Sequence, residues 1–358
     1  MANVVFILGA GASRKAGGPL MSDFLDVADG LWRTNSVGDK AASFKQVFAA
    51  IGAMQSVQSK AQLDLTNIES VFNALEMARI LKKFPGSADA SVEATIEALK
   101  ILITTTLDQT IKFPVSSNQI LPPAPYSQFA DLLQHLTGRA HPPRPVAVLT
   151  FNYDLAADYA LHFHSLGPDY CLGDGGPSGV PLLKLHGSTN WAVCQSCDRV
   201  APYHFAQFFR RYRVSLLGDL HEFHFDISSK FPDFPHCNRP VCSLPFLVPP
   251  TWNKTEHYKA IQVVWERAAH ELTDAENIFI VGYSLPQTDA FFRTLYALGT
   301  VGGTPLKRVW VFDPDKSGET EIRFRNLMGP GAISRFKYFP FVFDGAINVI
   351  KQEFPERR

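Results

Sequence analysis

Five short apolar runs, each cut off by small or polar residues, constrain the fold of this chain more than any other feature. They are Val4–Leu8 before Gly9-Ala10-Gly11, Val146–Thr150 before Phe151-Asn152-Tyr153-Asp154, and Leu182–Leu185 before His186-Gly187-Ser188. Ile278–Val281 before Gly282-Tyr283-Ser284 and Val309–Phe312 before Asp313-Pro314-Asp315 complete the set. Continuous β-branched runs suit parallel strands covered on both faces, so an α/β fold is expected. Ligands of open parallel sheets sit beyond the carboxyl ends of the strands. Here those ends carry Gly, Asn, Asp, His and Ser, which a single pocket could collect.

Composition narrows the partners. The chain has 358 residues, 46% hydrophobic and 19% charged, which excludes intrinsic disorder and leaves room for two units or one large domain with insertions. Lys+Arg and Asp+Glu number 34 each and no basic run occurs, so direct nucleic-acid binding is not expected. No apolar run reaches the roughly 18 residues of a membrane helix. Val4–Ala12 imitates a secretory leader but has no Lys or Arg ahead of it, so no leader is expected. Five Cys, four of them in two close pairs, suit a reducing compartment and a metal better than disulfides, and a cytoplasmic location is expected.

Between the first two runs lie over a hundred residues of helical pattern, too many for a crossover helix. Thr66-x-x-Glu69 reads as a capping box before a stripe of Ile68, Val71, Phe72 and Leu75. Val92, Ile96, Leu99, Ile103 and Leu107 form a second stripe; Phe129, Leu132, Leu133 and Leu136 form a third. Pro114–Pro125 and His141–Pro145 read as connections. A second insertion, Asn190–Val248, holds four Cys and much Phe and Pro, with little helical or strand period.

Each motif has a structural reading beside the chemical one. Gly9-x-Gly11-x-Ser13 stands between a strand and an expected helix near Ala12, where a backbone can approach a pyrophosphate; Arg14 takes the place of the third Gly, and a tight turn is the alternative. Asp154 is either a helix cap or a ligand contact. His186 is packing or chemistry. Asp313-Pro314-Asp315 is a turn, or a carboxylate that accepts from ribose hydroxyls. Cys194-x-x-Cys197 and Cys237-x4-Cys242 can close a tetrahedral structural zinc site, with His204 or His236 able to replace one ligand. A redox pair is the competitor, and Cys171 is left to packing.

In chain order, Gly9-Ala10-Gly11-Ala12-Ser13, Thr150-Phe151-Asn152-Tyr153-Asp154, Lys184-Leu185-His186-Gly187, the Cys pairs and Gly282-Tyr283-Ser284-Leu285 resemble the sirtuin family over most of the chain outside the helical insertion. The resemblance implies a Rossmann-like NAD domain, a small zinc lobe, and a cleft where the nicotinamide–ribose bond breaks. It matches Asn152 and Asp154 to the nicotinamide and ribose contacts and His186 to the general base. It matches Gly9, Ala10, Gly11, Ala12 and Ser13 to the pyrophosphate loop, with Gly282 and Ser284 alongside, and Asp313 to the adenosine ribose. Three departures look more like the bacterial sirtuin-like proteins that consume NAD in antiphage defence. Gly17-Gly18-Pro19-Leu20-Met21-Ser22-Asp23-Phe24 replaces the usual run, Phe151 replaces a Gln, and Val248-Pro249-Pro250-Thr251-Trp252 offers few donors to a peptide.

The expected organisation is a Rossmann-like domain from 1–18, 141–189 and 249–358, a helical insertion at 19–140, and a zinc-binding lobe at 190–248. The expected activity is NAD glycohydrolysis, catalysed by Asn152 and His186, with zinc held by Cys194, Cys197, Cys237 and Cys242. The alternatives are an NAD-dependent protein deacylase and a non-catalytic NAD or ADP-ribose sensor. An enzyme that destroys NAD requires restraint. A homo-oligomer, or a regulatory partner such as an ATPase or Argonaute-type sensor, is therefore expected.

Overall fold

Seven parallel strands form the central sheet: β1 (Val4–Leu8), β2 (Val146–Thr150), β3 (Pro168–Asp169), β4 (Val180–Lys184), β5 (Asn277–Val281), β6 (Arg308–Phe312) and β7 (Phe336–Phe339). The computed structural model describes residues 1–56, 63, 65–84, 92–173, 179–212, 220–248, 255–286 and 289–356, with only the backbone for 255–258. The strand order is β7-β6-β5-β1-β2-β4-β3, which puts β1 between its two partners in register, Val4 facing both Asn277 and Val146. All five expected runs are strands; two short outer ones, β3 and β7, join them. Every residue of β1, β2 and β5 is buried, as a sheet covered on both faces requires.

β1 runs straight into a single helical turn, α1 (Ala10–Ser13). Four helices of the insertion follow: α2 (Phe24–Arg33), α3 (Ala41–Ser56), α4 (Ile68–Leu81) and α5 (Val92–Thr110). They bury their apolar stripes in a core of their own, with Phe44, Val47, Phe72, Leu75, Leu99 and Leu102 among its members. The cap of α4 is Asn67, whose side chain accepts from the Ser70 N–H, one residue later than the Thr66 that the capping-box pattern selected.

The third expected stripe belongs elsewhere. α6 (Ala124–Gln134) packs in the sheet's core, with the Phe129 ring edge-on to Phe6 at 5.0 Å. The 19–140 stretch thus supplies helices to two cores. Its Pro-rich segment from 114 is not a plain connection: Phe113–Ser116 pairs with Gln119–Ile120 and with Glu222–Phe223. The sheet is then covered by α7 (Ala156–Phe163), α9 (Thr255–Asp274), α10 (Ala290–Gly299), α11 (Glu319–Leu327) and α12 (Phe343–Glu353). In the 190–248 segment, Trp191–Val193 pairs with Val200–Pro202, and α8 (Phe205–Arg211) follows. Phe205 and Phe225 stack edge-on at 4.8 Å and join the main core. Among the described residues, no helix is long and apolar enough to cross a membrane.

Candidate active site and metal centre

The loops after β1 and β5 interlock before any ligand is considered. Gly9 N–H donates to Val281 O at 3.0 Å, and Gly11 N–H donates to Gly282 O at 2.9 Å. A Cβ on Gly282, which sits at φ 61°, would lie 2.3 Å from Ala12 N; one on Gly9 would lie 2.5 Å from Gly282 O. Side chains at these positions are excluded by loop–loop contact, so the glycine pattern is explained first by packing. What this close approach leaves open is a cavity of about 460 Å³ at the carboxyl ends of the strands.

The cavity brings together Ala10, Gly11, Ser13, Asn152, Asp154, His186, Gly282, Ser284 and Asp313. Gly9 and Ala12, expected in the same loop, do not line it; they hold the loop from behind. Phe151 forms part of the wall, stacked on Tyr283 at 4.6 Å and edge-on to His186 at 5.1 Å. His186 follows β4 and is buried to within 6% exposure. The insertion closes the cavity with Met21, Phe24, Glu69 and Leu107.

Asn152 is held through its amide nitrogen, which donates to Gly9 O at 2.9 Å and to Ser13 Oγ at 3.0 Å. Its Oδ1 is then the atom able to accept from a ligand hydroxyl or a water. Ser13 spends its one hydroxyl proton on Asp154 Oδ2 at 2.7 Å, so the Tyr126 hydroxyl, 2.7 Å from Ser13 Oγ, must be a donor. The other Asp154 oxygen accepts from Ala156 N–H at the start of α7. These bonds are structural, a local turn into α7, although the helix's N-cap is Leu155 and not Asp154. Burial raises its carboxyl pKa, with Lys184 and the Ser13 bond opposing.

Lys184, wholly buried, supports the loop that carries Asn152 and Asp154. Its ammonium donates to Asp158 Oδ2 at 2.9 Å and to Asp154 O at 2.6 Å, and the Tyr170 hydroxyl donates to the other Asp158 oxygen. A buried charge paired in this way is costly to break, and it fixes the Asn152–Asp154 loop against β4.

At the far end, Asp313 is 9% exposed, with its carboxyl pKa raised by burial, and Oδ1 accepts from Asp315 N–H. Arg323 from α11 lines the same end and donates to Ser284 O at 2.9 Å. Glu69, Tyr153, Lys184 and Arg323 were not singled out from the sequence. Glu69 was read only as a cap partner. The signal for Lys184 was its place at the end of an apolar strand, where an unpaired ammonium is not tolerated.

The candidate metal centre differs from expectation in one residue. Cys194, Cys197, His236 and Cys237 present donor atoms all within 4.8 Å of one another, and Cys242 is not in that group. Pro235–His236 pairs with Arg239–Pro240, and Cys237 and Asn238 turn between them at φ 51° and 59°. That tight turn gathers His236 and Cys237, and carries Cys242 past the second strand to donate its N–H to Val193 O. His236 Nδ1 lies 3.6 Å from Cys197 Sγ and 3.5 Å from Cys237 Sγ, close to the nitrogen–sulfur edge of about 3.6 Å of a tetrahedron with zinc–nitrogen bonds of about 2.0 Å and zinc–sulfur bonds of about 2.3 Å. Hydrogen bonding from His236 pulls the Cys194 thiol down to about 6, which favours the thiolate that a metal needs. Three sulfurs and one imidazole fit a closed structural zinc site.

The sequence matches no protein-family profile and no curated protein. Solved structures of sirtuins are similar to it at low identity. A Sir2 homologue in complex with NAD is 14% identical, with 98% of this chain and 90% of that chain covered and a TM-score of 0.44. A Sir2 protein bound to a propionylated peptide is 12% identical, with 98% and 92% covered and a TM-score of 0.39. A structure described for the mechanism and regulation of Sir2 enzymes is 16% identical, with 98% and 91% covered and a TM-score of 0.39.

Proposed function

We propose that the cavity binds NAD and hydrolyses it to nicotinamide and ADP-ribose. The observation that supports this reading most is convergence: Asn152, His186 and Asp313, from three strand ends, line one cavity of about 460 Å³. That volume falls in the range of small-molecule sites. In the proposed reaction the C1′–nitrogen bond breaks with its electron pair passing to nicotinamide, which leaves as a neutral molecule. Water bonds to C1′ and loses one proton. Positive charge builds on the ribose ring as the bond breaks, as in other glycoside cleavages. His186 polarises the ribose hydroxyls or takes the water's proton, and Asn152 Oδ1 orients that water. A cell holding such an enzyme loses NAD when it is active, the role suggested by the resemblance to antiphage-defence proteins, and a partner or assembly switch would restrain it.

The run Pro249-Pro250-Thr251-Trp252, which argues against peptide clamping, lies outside the described residues. The test is therefore direct. Purified protein incubated with NAD alone is expected to yield nicotinamide and ADP-ribose by chromatography. His186→Ala and Asn152→Ala should each cut the rate at least a hundredfold while keeping the folded circular-dichroism spectrum. Nicotinamide release that stops when an acetylated peptide is omitted would instead make the protein a deacylase. Saturable NAD binding without turnover would make it a sensor.

A further inference from the structure

Tyr153 lies between Asn152 and Asp154 and lines the cavity with its ring 6.2 Å from that of His186, and its side chain also belongs to the core that the helical insertion builds, as does Leu247. Its hydroxyl donates to Val248 O at 2.8 Å, and Val248 N–H donates to His186 O at 2.7 Å. The segment 246–248 is strapped along 186–188: Leu247 bridges Gly187, and Ser188 N–H donates to Phe246 O. Gly187 stands at φ 83°, and a Cβ there would lie 2.2 Å from Phe246 O, so the strap is held as close as backbone allows. The carbonyl of Tyr153 accepts from Thr189 N–H at 3.1 Å, which secures the other side of the histidine.

We propose that Tyr153 is a positioning residue: acting through Val248, its hydroxyl sets where the His186 ring stands and ties that position to the packing of the helical insertion. Burial leaves no water to replace a lost partner of Val248 O, so the strap must move when the hydroxyl is removed. A displacement of about 1 Å at a catalytic group costs on the order of a hundredfold in rate. The consequence for turnover rests on the NAD-hydrolysis reading, but the position of the ring can be read without turnover.

The experiment uses the full chain with labelled histidine. The His186 ring signal is identified by its absence in His186→Gln. Tyr153→Phe keeps the ring and its apolar packing and removes only the hydroxyl. It is expected to move the His186 signal, to lower kcat at saturating NAD about 10- to 100-fold, and to leave KM within about threefold. Phe72→Leu, a change in the insertion core away from the cavity, is expected to move the same signal. An unmoved His186 signal in folded Tyr153→Phe overturns the proposal whatever the turnover. A signal moved by Tyr153→Phe but not by Phe72→Leu overturns the tie to the insertion. If the wild type cleaves no NAD, hydrolysis fails as a reading and the signal alone decides the positioning role.

Discussion

Single residues in this site divide into those that hold the loops and those that face the cavity. Asp154 is engaged on both oxygens by Ser13 and Ala156, whereas Asn152 has its nitrogen committed and Oδ1 to offer. Asp313 stands at the end remote from His186, so a contact it makes with NAD is the same before and during bond breaking. Asp313→Ala should therefore raise KM about 10- to 100-fold with kcat nearly unchanged, the loss of about 1.5–3 kcal/mol of a charged hydrogen bond. Steady-state kinetics decide it, and a large fall in kcat at saturating NAD would give Asp313 a part in the chemistry. That these strand-end polar residues gather at one cavity was legible in the sequence, because a strand end needs no polar group unless it caps or binds. Which of the two Asp154 does was not legible: it depends on Ser13 and Tyr126, distant in the chain.

Elements show the same division. Interior strands could be read because burial on both faces leaves an unbroken apolar run. β3, two half-buried residues, and β7, only partly buried, leave no such trace. Neither spacing nor residue type distinguishes Cys242 from His236 as a metal ligand; the turn at Cys237-Asn238 does. From that turn, one zinc per chain is expected on Cys194, Cys197, His236 and Cys237. Metal analysis after dialysis should find it retained in Cys242→Ser and lost in Cys197→Ser and His236→Ala. Retention in His236→Ala with loss in Cys242→Ser would restore the four-cysteine site. Metal loss should unfold the Pro235–Pro240 hairpin, which has little apolar packing of its own.

On the scale of the whole molecule, two hydrophobic cores meet at Tyr153 and Leu247. Separate cores open as separate cooperative units. Native-state hydrogen exchange should show the α2–α5 amides losing protection together, at a lower opening free energy than the amides of β1, β2 and β5. One common opening for both sets would show that the two cores behave as a single unit. The helical insertion was visible in the sequence as an overlong crossover, but its division, with α6 joining the sheet, was not. An apolar stripe tells that a helix is covered and not by what: Phe129 finds Phe6 only in three dimensions.

The place of β1 in the sheet also governs how the protein is born. Val4–Leu8 leaves the ribosome long before one of its two neighbours, Asn277–Val281. At roughly 5–20 residues per second, the nascent chain carries this wholly apolar strand for about 14–55 seconds before that neighbour exists. Through that interval an edge of the segment Val-Val-Phe-Ile-Leu can pair with other chains. Synthesis rate and chaperone supply, rather than the stability of the finished fold, should therefore set how much of this protein a cell recovers in soluble form.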